Sequence, residues 1–111
     1  MFTGDIRLRY EQTFFVIEAD FISDLTVEYD AVTSVEYRDT MDYGSRIAGF
    51  NSLRLLMGTF HNEEFGKYSL YAYTGNHGAV LLRSGDQILV IGGRTPEETA
   101  EIYETLKENI Q

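Results

Sequence analysis

Apolar and polar positions alternate from the start of the chain. Over residues 5–11, Ile6, Leu8 and Tyr10 fall on one side and Arg7, Arg9 and Glu11 on the other. That period of two marks a half-buried strand. Residues 13–18 follow after a tight break and are apolar on both sides, through Phe14, Phe15, Val16 and Ile17. Leu25, Val27 and Tyr29 then alternate with Thr26, Glu28 and Asp30, and Val35 and Tyr37 face inward from a strand over 34–38. Residues 39–44 are turn-forming, and Gly44 and Gly49 punctuate the segment that runs to Asn51. Leu53, Leu55 and Met57 predict a strand that ends at Gly58, and residues 61–66 read as a polar loop. Over 67–74, Tyr68, Leu70 and Ala72 share one face while Ser69, Tyr71 and Tyr73 share the other. Gly75 to Gly78 reads as a hairpin turn into a strand at 79–83, and Ser84 to Asp86 as another into 87–91.

After Gly92 and Gly93 the period changes. Thr95 is an N-cap, Pro96 occupies the first helical position, and Glu98 completes a Thr-x-x-Glu capping box. Ile102, Tyr103, Leu106 and Ile110 then lie on one face of a helix spanning about 96–110. One amphipathic helix after an all-strand chain must bury its apolar stripe against a sheet or in a barrel mouth. The expected fold is mainly β (α+β), a single domain over 1–111. It is a small barrel of about seven antiparallel strands, or two packed orthogonal sheets, closed at one open end by the C-terminal helix.

A chain of 111 residues that is 43% hydrophobic can bury a core of its own. No apolar run approaches the ~18 residues of a membrane span, and no basic-then-apolar leader opens the chain. Cysteine is absent, which removes disulfides and thiolate chemistry and makes a reducing cytoplasm the simplest home. The formal charge of −9 comes from acidic residues spread along the whole length. Such a field repels phosphate backbones and anionic headgroups, so neither nucleic acid nor an anionic membrane is an expected partner.

Candidate chemistry is sparse. His61, Glu63 and Glu64 are the nearest approach to a metal site, but their spacing matches no ligand motif and a solvated loop explains them better. His77 sits at a hairpin tip. Ser69 or Ser84 with either histidine makes no nucleophile elbow. Gly92 to Thr95 precedes a helix and can present N–H groups to an anion, yet the Thr95 cap uses the same groups, and Glu97 and Glu98 repel a phosphate. The aromatic content remains: eight Tyr and seven Phe exceed what one small core obviously needs. Tyr71 and Tyr73, opposite the Leu70 face, are expected to be exposed and, with Phe50 and Phe60, to form a partner surface. An open edge strand offers a second route to a partner.

Three stretches carry a resemblance to a known family. Residues 30–37 pass from a polar entry into a strand, residues 46–51 with Gly58 to Phe60, Phe65 and Gly66 form a glycine-spaced centre, and residues 91–98 run from a final strand into a Pro-acidic helix start. Together they resemble the bacterial pleckstrin-homology-like (PH-like) domains from about Leu25 onward. The resemblance implies a non-catalytic interaction or self-assembly module with no cofactor and no catalytic residues, its partner being another protein or a second copy. Family relatives often adjoin membrane-spanning segments, so the chain is either a soluble relative or part of a longer protein. The turn between the first two strands carries Glu11 where lipid-binding PH domains need Lys and Arg, which argues against phosphoinositides. The alternative reading is a barrel that binds a small apolar ligand or lipid.

Overall fold

The computed structural model describes residues 5–20, 22–51, 54–75 and 78–110. Nine strands and one helix make up its main elements: β1 (Ile6–Tyr10), β2 (Phe14–Ala19), β3 (Leu25–Glu28), β4 (Ser34–Arg38), β5 (Ser45–Asn51), β6 (Leu55–Asn62), β7 (Gly66–Tyr73), β8 (Ala79–Ser84), β9 (Gln87–Gly92) and α1 (Pro96–Ile110). A single 3-10 turn at Tyr29–Ala31 links β3 to β4.

The strands form two sheets rather than a closed barrel. One is the antiparallel meander β1-β2-β3, and the other has the order β4-β8-β9-β7-β6-β5. Every pairing is antiparallel except β7 with β9, where Ser69 to Ala72 run beside Leu89 to Gly92 in parallel. The expected turn at 75–78 therefore joins strands that are not neighbours, because β9 inserts between β7 and β8. The reason is burial. Val90, Leu89 and Ile91 are buried on alternating faces, and such a run belongs in a strand covered on both sides.

Strand β5 is the element that alternation does not reveal. Ser45 to Gly49 are exposed at every position, so no buried face imprints a period of two. The glycines there serve a close approach instead. Gly49 and Gly58 lie directly across the β5–β6 ladder with φ of 117° and 123°. A Cβ on either would stand 2.3 or 2.4 Å from a carbonyl oxygen of the opposing strand. Beyond them β6 runs on to Asn62, which shortens the expected polar loop to three turn residues before β7.

Each face of the six-stranded sheet has its own core. On the inner face, Phe15 and Ile17 of β2 meet Leu55, Met57, Tyr71, Tyr73, Val80, Leu82 and Ile91. Ile102 and Leu106 of α1 complete that core, packed beside β4, β8 and the 3-10 turn. The Tyr103 ring lies 5.8 Å from that of Tyr37 on β4. On the outer face, Phe60, Tyr68, Leu70, Ala72, Ala79, Leu81 and Val90 gather under Met41 and Tyr43 of the β4–β5 connection. Asn62, only 5% exposed, pins that strap. Its Nδ2 donates to Asp42 O at 2.8 Å, and its Oδ1 accepts from Phe65 N at 2.7 Å.

The helix start behaves as the capping residues predict. Glu98 N donates to Thr95 Oγ1 at 3.1 Å, while Glu98 Oε1 reaches back to Arg94 N at 3.0 Å. Fully buried Thr99 accepts from Gly93 N at 2.9 Å and donates to Thr95 O. The candidate anion cradle is thus closed by the chain's own side chains.

Candidate interaction surfaces

The aromatic partner surface expected from alternation is not on the surface. Tyr71, Tyr73 and Phe60 are 6%, 4% and 3% exposed. Strand β7 is central in a sheet covered on both faces, so the side opposite Leu70 faces a second core and not water. The Tyr73 hydroxyl accepts from Ile6 N at 2.8 Å and stands 3.2 Å from Asp5 Oδ1, tying β7 to the start of β1. Its ring lies 5.5 Å from the guanidinium carbons of both Arg54 and Arg94. Asp5 in turn accepts from Arg54 at 3.0 Å, so this small basic cluster is spent on stitching the two sheets together. Phe50 belongs to β5, but its side chain lies outside the described residues. The sequence signal for burial was β7 itself, which is apolar on both faces from Leu70 onward.

The other candidate groups are brought together only in part. His61 is exposed on β6 between Ser45 and Lys67 of the flanking strands. Glu64 is held elsewhere: both of its oxygens accept from the Arg38 guanidinium, at 2.6 and 2.8 Å. That fork keeps the Glu64 carboxyl below the usual carboxylate range. Among the described residues no three His, Cys, Asp or Glu side chains gather as a metal site. His77 lies outside the described residues. The basic residues of β1 are also engaged, Arg7 with Asp20 and Arg9 with both Glu11 and Glu18.

Five phenols are held above their ordinary value. Burial raises Tyr43, Tyr68 and Tyr71, with help from Asp42 at Tyr68 and Asp24 at Tyr71. Burial likewise raises Tyr29, and pushes Tyr10 up to about 12. A phenol whose folded value lies above its unfolded one favours the fold while neutral. Its contribution is intact below the unfolded value of 10.0 and is lost as pH climbs through the folded value. An ultraviolet ionisation titration is therefore expected to show these five phenols resisting base until the chain unfolds above about pH 10. Free, reversible ionisation of all eight tyrosines near their ordinary value, with the fold retained, would contradict the two-core packing.

Two features do face solvent. The first is β5, one of the two edge strands of the larger sheet, β4 being the other. Ile47 is 49% exposed, the one large hydrophobic so exposed among the described residues. It is the extra residue of a bulge, since Arg46 pairs with Phe60 and Ala48 with Thr59. This strand lies within residues 43–62, which contain no Asp or Glu in a chain that has 18 of them. That acid-free run is a signal that alternation did not use. The second feature is a furrow of about 290 Å³ where β3 and the 3-10 turn stand over the β8–β9 hairpin. Leu25, Val27, Val32, Leu82 and Leu89 give it an apolar lining, edged by Glu28 and Gln87.

Two stacked sheets, a C-terminal helix closing the core and open strand edges define a small β-rich module. The chain belongs to the bacterial PH domain family, which it matches over residues 6–110. Searches of curated proteins and of solved structures return no match. No helix among the described residues is long and apolar enough to cross a membrane.

Proposed function

We propose that the chain is a non-catalytic, cytoplasmic PH-like interaction module that associates by adding a strand to the open edge of β5, the first partner being a second copy of itself. The observation that carries this reading is the exposure of Ser45 to Gly49 along an outermost strand with Ile47 projecting from it. An outermost strand leaves alternate backbone N–H and C=O groups unpaired by its own sheet, and a second strand can take them up. Charge supports a second copy. Two chains of −9 repel one another over most of their surfaces, but apposed β5 strands meet through the acid-free stretch. The engagement of Arg7 and Arg9 in ion pairs supports a module that does not dock on anionic lipid or nucleic acid.

Solution mass, measured by size-exclusion chromatography with light scattering at low and high salt, tests this. A dimer that persists at high salt is expected, and Ile47→Lys is expected to yield a folded monomer that melts at the temperature the wild type approaches on dilution, since association adds to the stability of the fold. A wild-type chain that stays monomeric at all concentrations removes self-pairing. The second reading, a site for a small apolar ligand or lipid, has the furrow beside β3 in its favour.

A further inference from the structure

We infer that the furrow between β3 and the β8–β9 hairpin binds an extended peptide segment of a protein partner, apolar on one side and carrying basic residues, which pairs with β3 as a fourth strand. This surface is separate from the β5 edge and does not depend on the use proposed for it.

The shape of the furrow favours a linear occupant. It meets a second groove of about 260 Å³ through shared residues Ser69, Gln87 and Ile88, and that groove continues past Thr59 and Lys67. The inner-face positions on this margin, Thr59, Lys67, Ser69 and Gln87, are exposed or half-buried, in contrast to Met57, Tyr71 and Ile91 farther along the same strands. The three-stranded sheet thus stops short of covering the six-stranded one. Its last strand, β3, forms the lip of the uncovered strip. In an antiparallel ladder, alternate residues aim both backbone groups away from the partner strand. Those of β3 that do not face β2 are therefore available to a fourth strand, whose side chains then fall on Leu82 and Leu89. Small-molecule pockets bury most of their ligand's surface, whereas an open, elongated strip matches a strand.

Charge decides what kind of peptide fits. Glu28 lines the furrow, Asp86 lines its continuation, Asp24 precedes β3, and Asp30 lies in the turn that follows it. Lys67 is the one basic residue lining the two grooves. An apolar lining beside β3, continued by polar Thr59, Ser69 and Gln87 within an acidic rim, selects a segment that is apolar where it meets Leu82 and Leu89 and carries Lys or Arg on its outward positions, and gives association that weakens with salt.

The probe is a display library of random linear peptides selected on the wild-type chain. Enrichment of segments that alternate apolar and basic residues is expected. Their affinity is expected to fall about tenfold or more on the double variant Glu28→Lys, Gln87→Arg, because reversed rim charges now repel them. Both positions are exposed, and melting temperature checks that the variant is folded. Binding by Ile47→Lys is expected to match wild type, which separates this site from the β5 edge. Failure to enrich any peptide, enrichment without basic residues, or equal binding by the double variant overturns the inference. So does a fatty acid that raises the melting temperature of the wild type but not of the variant while no peptide is selected, since the furrow then holds a lipid chain.

Discussion

Replacing Gly58 with alanine is expected to cost roughly 2–6 kcal/mol, the strain of a left-handed backbone added to that of overpacking. The residue sits at φ 123° within β6, a conformation that an L side chain rarely adopts. The new Cβ would meet Ala48 O at 2.4 Å and the Gly49 Cα at 2.7 Å, both backbone atoms that no rotamer change can move aside. Relief requires β5 to lift from β6, which would sacrifice the ladder from Ser45 to Asn51. Urea unfolding reads the loss as a fall in midpoint. Hydrogen exchange should locate the damage at β5, leaving the β1–β2 ladder protected until global unfolding. A near-neutral Gly58→Ala would mean that the two strands do not approach as closely as the paired glycines imply.

Leu106→Ala is expected to cost about 2–5 kcal/mol, the range for truncating a fully enclosed leucine. Leu106 is 0% exposed, in the core that joins α1 to both sheets. Its helix is one of the walls of that core, so the cavity has little freedom to collapse. Substitution on the opposite side of the same helix, such as Glu104→Ala, serves as the control. Glu104 is exposed, and its removal should leave the unfolding midpoint nearly unchanged. A Leu106→Ala midpoint as high as the control would sink the arrangement in which α1 closes the core.

What could be read from residue order was what local rules govern. The capping of α1 by Thr95 and Glu98 and the strands at β1, β2 and β4 follow from side-chain spacing alone. So does the burial of Ile102 and Leu106. Partnership between distant strands is another matter. Nothing local distinguishes a β8 that folds back on β7 from one that leaves a gap for β9. Nor does anything local announce that the small sheet and α1 cover one face of β7 while the β4–β5 strap covers the other, and that is the source of the misreading of Tyr71 and Tyr73. Alternation reports only that two faces differ, and here each face has a core of its own. Strand β5 was hidden for the opposite reason, since nothing along Ser45 to Gly49 is buried. The candidate surfaces share that cause. Both depend on where a sheet ends, which is a property of the assembled fold.

The position of β9 also bears on how the chain reaches this fold. Without it, the larger sheet is two disconnected ladders, β4 with β8 and β7 with β6 and β5. The strand that joins them is the last of the nine to leave the ribosome, and it pairs with β8 in antiparallel and with β7 in parallel fashion. Earlier strands must therefore wait with their apolar faces uncovered, the condition in which nascent β-rich chains are most prone to aggregate. Ten acidic residues lie in the first 42 positions, and their mutual repulsion opposes contact between such intermediates, whereas β5 and β6 lie in the acid-free run and must rely on their own ladder until β7 and β9 join them.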